Sequence, residues 1–223
     1  MATFAEITHK IARLAHPSPS VDIIRMVERL VLNYRSLILK RDYDRKRHLH
    51  DKFVQTAVNI PIHQSKYNPG HSKFRVHKTD RIPSIIRLAS GYLIRYVGDN
   101  TRTQGYDYVD PNALKMVTYS RYSYRDKLCT IIDNEIYLFD IDHSESDSDT
   151  NVNYLTHIRL EAVFEDPRLL FDFEGLDGSR AYDLDHEFPI TEDLEQQITQ
   201  SIIAQELQIL NPMRINEVKT DPV

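Results

Sequence analysis

Ten histidines invite a metal-centre reading, and His48-Leu49-His50-Asp51 is their densest group, with His63, His71 and His77 downstream. In a helix His48 and His50 would point about 200° apart and could not share an ion, whereas in a strand they could. Neither Cys-x-x-Cys nor His-Glu-x-x-His accompanies them, so no metal is expected. The acidic run from Asp140 through Asp142, Asp147 and Asp149 resembles a calcium loop in charge alone. Counted from Asp140, Glu145 stands where an EF-hand needs glycine and Asn151 where it needs a bidentate glutamate. A hydrated hairpin loop able to meet a basic neighbour is the better reading.

Nucleophilic chemistry finds little to work with. Cys129 lies in the apolar run Leu128-Cys129-Thr130-Ile131, where a thiol behaves as a small hydrophobe. No Gly-x-Ser-x-Gly elbow occurs, and 6 glycines in the whole chain leave no glycine-rich phosphate cradle. Carboxylates are abundant, but no pair is singled out as acid and base. No cofactor is expected, and no enzyme. The one dense cationic cluster is Lys40, Arg41, Arg45, Lys46, Arg47 and Lys52, with Tyr43 and Phe53 interleaved. It would suit phosphates or an acidic protein surface. Asp42, Asp44 and Asp51 dilute it, and the sequence pI near 6.0 argues against a dedicated DNA-binding protein. A nucleic-acid-binding module using segment 40–52 stands as the alternative function.

The elements carrying these residues can be read from periodicity. Thr3 and Glu6 have capping-box spacing, and Pro17 ends the first helix. Ser20 caps a second, longer helix with Asp22 at its positive end, and Val21, Ile24, Val27, Val31, Tyr34 and Ile38 form its apolar face. It runs to about His48, with a charged last part. From Phe53 to Val163, β-branched and aromatic residues dominate. Strands are expected at 55–63, 74–77, 91–97 and 106–109, with a helical turn opened by Asp110-Pro111. A hairpin of 128–132 and 135–141 turns on Asp133-Asn134, and 153–163 is expected to pair with it. Thr191 caps a last helix whose stripe is Leu194, Ile198, Ile202, Ile203, Leu207 and Leu210, stopped by Asn211-Pro212. The expected organisation is a single subunit: helices over 1–52, a β-rich region over 53–165, a connecting segment 166–190, a helix over 191–211 and a tail 212–223. The fold class is α+β. The N-terminal and C-terminal helices pack as a bundle, with a central, mostly antiparallel β-sheet region.

Charge is polarised along the chain. Residues 1–100 hold 18 Lys and Arg against 8 Asp and Glu, leaving 10 basic against 25 acidic residues beyond them. Oppositely charged faces would serve head-to-tail packing between copies. The lone cysteine and the start Met-Ala-Thr-Phe-Ala-Glu, without basic flank or apolar run, are expected of a soluble protein made in a reducing cytoplasm. No segment is apolar enough to span a bilayer, so no membrane partner is expected.

Several landmarks, taken in order, resemble a known family. They are Ile11-Ala-Arg-Leu-Ala-His-Pro-Ser-Pro-Ser20, then Arg29-Leu-Val-Leu-Asn-Tyr-Arg-Ser-Leu-Ile-Leu-Lys-Arg-Asp42. His157-Ile-Arg-Leu-Glu-Ala-Val-Phe-Glu-Asp-Pro-Arg168 and Glu187-Phe-Pro-Ile190 follow. The chain is similar to virion structural proteins of crAss-like, short-tailed bacteriophages; the stretch 46–70 departs most from that pattern. The resemblance implies a ring of twelve copies in the head-to-tail connector, partnering the portal and tail proteins, extending and sealing the DNA channel without catalysis. Channel DNA would lie nearby without sequence-specific contact. Candidate interface residues are Arg41, Arg45, Lys46, Arg47, Asp140, Asp142, Asp147, Asp149, Glu165 and Asp166, the last two at the Pro167 break where they would receive donors from the turn or an adjacent chain.

Overall fold

The first helix, α1 (Phe4–Ala15), starts with the reciprocal bonds its sequence promises. The Thr3 N–H donates to Glu6 Oε2 at 2.8 Å and the Glu6 N–H to Thr3 Oγ1 at 3.3 Å. In this computed structural model, residues 2–48, 50–65, 74–114, 127–141 and 155–207 are described. They form two compact units, Met1–Phe53 with Leu184–Val223, and Val54–Asp183.

The first unit is helical. Ser20 caps α2 (Val21–Lys46), and Arg47 closes it in the left-handed region at φ 52°. Thr191 caps α3 (Glu192–Ser201), which continues as a π-helical turn over Ile202–Leu207. Ile7, Ile11 and Ala12 of α1 meet Val27, Val31, Ile38 and Leu39 of α2 and Leu194, Ile198 and Ile202 in the buried set. The expected bundle of terminal helices is present. Its α2 stripe differs from the expectation in two places. Val21 is exposed, and Arg35 takes the buried position assigned to Tyr34. The Tyr34 hydroxyl instead donates to Gln205 Oε1 at 2.9 Å and Glu206 Oε1 at 3.1 Å, on the π-helical turn.

Arg35 is 0% exposed, so its charge needs compensation. Its Nε donates to the Pro189 carbonyl at 3.4 Å, and its guanidinium carbon lies 5.5 Å from the Phe188 ring centroid, a cation–π distance. Phe188 also meets Phe4 at 4.9 Å, and its N–H donates to the Ala2 carbonyl. Glu187-Phe-Pro-Ile190 therefore threads between the start of α1 and the middle of α2.

The second unit holds one seven-stranded sheet among the described residues, in the order β5-β9-β1-β2-β8-β7-β6. The strands are β1 (Gln55–Gln64), β2 (Phe74–Thr79), β5 (Ile94–Gly98), β6 (Asp107–Tyr108), β7 (Lys127–Ile132), β8 (Glu135–Ile141) and β9 (His157–Ala162); a separate short hairpin pairs β3 (Arg87–Leu88) with β4 (Gly91–Tyr92). Pairing is antiparallel except between β6 and β7. The β7–β8 hairpin turns on Asp133 and Asn134, both at positive φ (52° and 63°), as a type I′ turn requires. The segment ending at Val163 does not pair with this hairpin, contrary to expectation. Instead β9 lies between β5 and β1, with Leu160 facing both Ala57 and Val97. Local adjacency favoured the hairpin, but β1 and β5 both present open edges, and two partners satisfy more backbone than one.

β1 changes partner along its length. Gln55–Pro61 pairs with β9 and Ile62–Gln64 with β2. A bulge falls between Ala57 and Ile60, where Asn59 takes φ 56° and the Val58 N–H turns away to the Glu174 carbonyl at 2.8 Å. Pro61 sits at the changeover, just before the first β2 pair, Ile62↔Thr79, so its missing N–H interrupts no described pair with β2.

The sheet then closes on itself. After β5 the chain turns through 99–104 and returns with Gly105 bridged to Gly98 and the Tyr106 N–H on the Val97 carbonyl at 2.8 Å, leading into β6. Hydrogen bonding thus runs full circle, leaving β5 and β6 without long open edges. Gly98 is required there. A Cβ would overlap the Gln104 carbonyl oxygen and the Tyr96 hydroxyl, with Tyr96 Cζ at 2.7 Å.

Two outcomes are expected. Gly98→Ala forces this seam apart, at a cost of about 1–3 kcal/mol, and exchange of the Tyr106 amide proton accelerates. Arg35→Ala removes both the packing and the donor to Pro189, lowering stability in denaturant melts by about 2–5 kcal/mol.

Candidate assembly surfaces

The basic cluster lies at the C-terminal end of α2. Arg41, Arg45, Lys46 and Arg47 are exposed there, and Arg45 and Lys46 stand in the last turn, where cations complement the helix dipole. Arg41 reaches Gln197 of α3 at 3.3 Å and Asp42 at 3.7 Å. Leu37, one turn earlier, is 60% exposed. Since Leu37, Arg41 and Arg45 are spaced four apart, they share a helix face: an apolar side chain continued by two guanidinium groups.

The acidic candidates fall in the other unit. Asp140 lies in β8, in register with Lys127 and Arg75. Its side chain, and Asp142, Asp147 and Asp149 altogether, lie outside the described residues. The Glu165 N–H donates to the Ser84 carbonyl at 2.8 Å. Asp166 caps the 3₁₀ turn Pro167–Asp172: its Oδ1 accepts the Arg168 N–H at 3.0 Å, and both its oxygens take the Arg168 guanidinium at 3.0 Å. Its donors come from its own turn.

Within that turn, buried Leu170 anchors the chain while Leu169 and Phe171 stand exposed beside it. The chain then doubles back. Glu174 bridges Arg180, the Gly175 N–H donates to the Ser179 carbonyl at 2.6 Å, and the Ala181 N–H to Phe173 at 2.7 Å. The Glu174 carbonyl holds the β1 bulge, and its carboxylate accepts from Asn59 Nδ2 at 2.7 Å. Leu176, 62% exposed, stands at the tip of this fixed hairpin.

The unit's strongest polar cluster escaped sequence reasoning. Glu161 on β9 is 2% exposed and is reached by Arg159 at 2.5 Å, by Arg102 Nε at 2.9 Å with a second bond from its Nη2, and by Arg95 at 3.9 Å. The signal lay in strand parity: Arg159 and Glu161, two apart, face the same side. Arg102, at φ 60°, comes from the seam loop, which is organised by Asp99. That carboxylate accepts the Thr103 hydroxyl at 2.6 Å, the Gln104 N–H at 2.8 Å, the Tyr96 hydroxyl at 2.9 Å and the Thr101 hydroxyl. Burial raises the Asp99 carboxyl, but the hydrogen bonds from Thr101, Thr103, Gln104 and Tyr96 outweigh it and hold the group well below the usual carboxylate range. Burial and the bond to Asp99 push the Tyr96 hydroxyl up to about 12.

Among the described residues no three His, Cys, Asp or Glu side chains are grouped to hold a metal ion, and no described helix is long and apolar enough to cross a membrane. Cys129 is fully buried. The Asp99 network carries a pH dependence. Because the folded state depresses this carboxyl, its stabilisation is fully present above the unfolded value near ~3.9 and is lost on acidification below it. Acid titration of unfolding is expected to show this loss, and Asp99→Asn to flatten the curve below about pH 4.

A search among curated proteins finds no match. A family model described as phage tail ring protein 2 matches residues 6–219. That span runs from α1 through the closed sheet and the Leu176 hairpin to the end of α3 and beyond it. The chain belongs to the phage tail ring protein 2 family of crAss-like bacteriophages.

Proposed function

We propose that this tail ring protein is a non-catalytic subunit of the head-to-tail connector, in which twelve copies assemble between portal and tail and extend and seal the DNA channel. The family match over residues 6–219 carries this reading. Two features of the molecule support it. The sheet is closed and its internal charges are paired, which suits a rigid building block. The two units also present charged and apolar side chains on surfaces outside their cores, available to neighbours. Host-cytoplasmic synthesis followed by incorporation into the particle belongs to the same reading.

The competing reading is nucleic-acid binding through segment 40–52, favoured by the exposure of Arg41, Arg45, Lys46 and Arg47. Asp42 and Asp44, interleaved with them, weaken the field such binding needs. Locating this chain in an electron-microscopy reconstruction of the intact particle is expected to place a closed ring of twelve copies between portal and tail; a monomeric or dispersed location would refute the reading. Mass photometry of the purified chain, alone and with its portal partner, is expected to show the same oligomer. Tight DNA binding at physiological salt, steeply salt-dependent and lost when Arg41, Arg45 and Arg47 become Ala, would favour the competitor instead.

A further inference from the structure

Every large apolar side chain that unit Val54–Asp183 exposes among the described residues lies within eight residues: Leu169, Phe171 and Leu176. These residues are on a scaffold already fixed by the Asp166 cap, the Leu170 anchor and the Glu174–Arg180 bridge. Arg180 stacks on the Phe171 ring with its guanidinium carbon 3.7 Å from the centroid. A preordered apolar tip loses little conformational freedom on docking, which is the condition for an efficient contact. Its surroundings are acidic: segment 172–177 carries Asp172, Glu174 and Asp177 and no cation.

The opposite combination occurs on the helical unit. Leu37 is 60% exposed on the same face as Arg41 and Arg45, and segment 40–47 carries five cations against two anions. We propose that the Phe171–Leu176 hairpin of one copy docks on the Leu37–Arg45 face of α2 in a second copy. The inference rests on the ring reading and adds the contact that propagates it. The occupant is another copy of this chain because both halves of the match, apolar tip against apolar helix face and anions against cations, are on one polypeptide. The two halves are different residue sets on different units, and under the ring reading the contact is heterologous and repeats from copy to copy until it closes; a self-complementary pairing would stop at a dimer. The charges steer and orient the encounter, and the leucines supply the water-excluding centre.

The test uses two full-length variants, Leu37→Cys and Leu176→Cys. Each retains Cys129, which is completely buried and whose thiol burial pushes up, keeping it unreactive. The two variants are co-assembled, as purified protein and in particles, then oxidised and run on non-reducing gels. The expected result is a covalent dimer in the mixture, absent from either variant alone and diminished at high salt. Leu176→Asp is expected to lower the assembled fraction about tenfold or more with the melting temperature unchanged. Rings that form without this cross-link, and with Leu176→Asp assembling like the parent, overturn the proposed contact and leave the ring reading standing. Failure to find the parent chain in any ring overturns the ring reading itself. If Arg45→Glu abolishes DNA binding while ring assembly is untouched, the basic face belongs to nucleic acid and the docking contact is wrong.

Discussion

A carboxylate cannot be withdrawn from water without cations to meet it, and Glu161 is withdrawn almost completely. Its arginines arrive from three places: Arg95 on the neighbouring strand, Arg159 on its own strand, and Arg102 from the loop that closes the sheet. The cluster therefore ties β5, β9 and the seam to one charge. Such a group is weak evidence for stability in itself, since apolar replacements of buried ion pairs are often neutral or better. It does define register. A slip of β9 by one residue would carry Glu161 to the opposite face, away from its arginines, and move Leu160 and Ala162 with it.

The helical unit solves the same problem differently. Arg35 sits among aliphatic side chains and is met by the Pro189 carbonyl and the Phe188 ring. Its compensation comes from a segment more than 150 residues away in the chain. That long-range contact gives the short landmark Glu187-Phe-Pro-Ile190 a physical role: it supplies an acceptor, a π-face and an aromatic partner for Phe4 at one point.

What was legible in the sequence was local chemistry. The capping box at Thr3, the caps at Ser20 and Thr191 and the Asp133-Asn134 turn each depend on a few adjacent residues, and each formed as read. The α+β class followed from periodicity. The failures came where distant pieces decide. The strand at 106–109 was read and holds β6, but nothing near it in sequence names its partner, so the closure through Gly98 and Gly105 could not be read. Arg35 was left out of the apolar stripe, with Tyr34 in its place, because nothing near it in sequence announces its partners. The partner of β9 was misjudged because pairing with the preceding hairpin required the shortest connection. The basic end of α2 was found from composition, but the exposed Leu37 on its face, and Leu176 at its own hairpin tip in the sheet unit, were passed over as ordinary leucines.

The helical unit draws on both ends of the described chain, α1 and α2 before the sheet and α3 after it, whereas the sheet unit is one continuous stretch. A ribosome therefore delivers the whole of the sheet while α1 and α2 still lack the cover that Phe188, Leu194 and Ile198 provide. The helical unit is finished after the sheet, once the segment from Leu184 onward emerges. Products cut short before Leu184 would carry an intact sheet and its apolar tip beside an incomplete bundle.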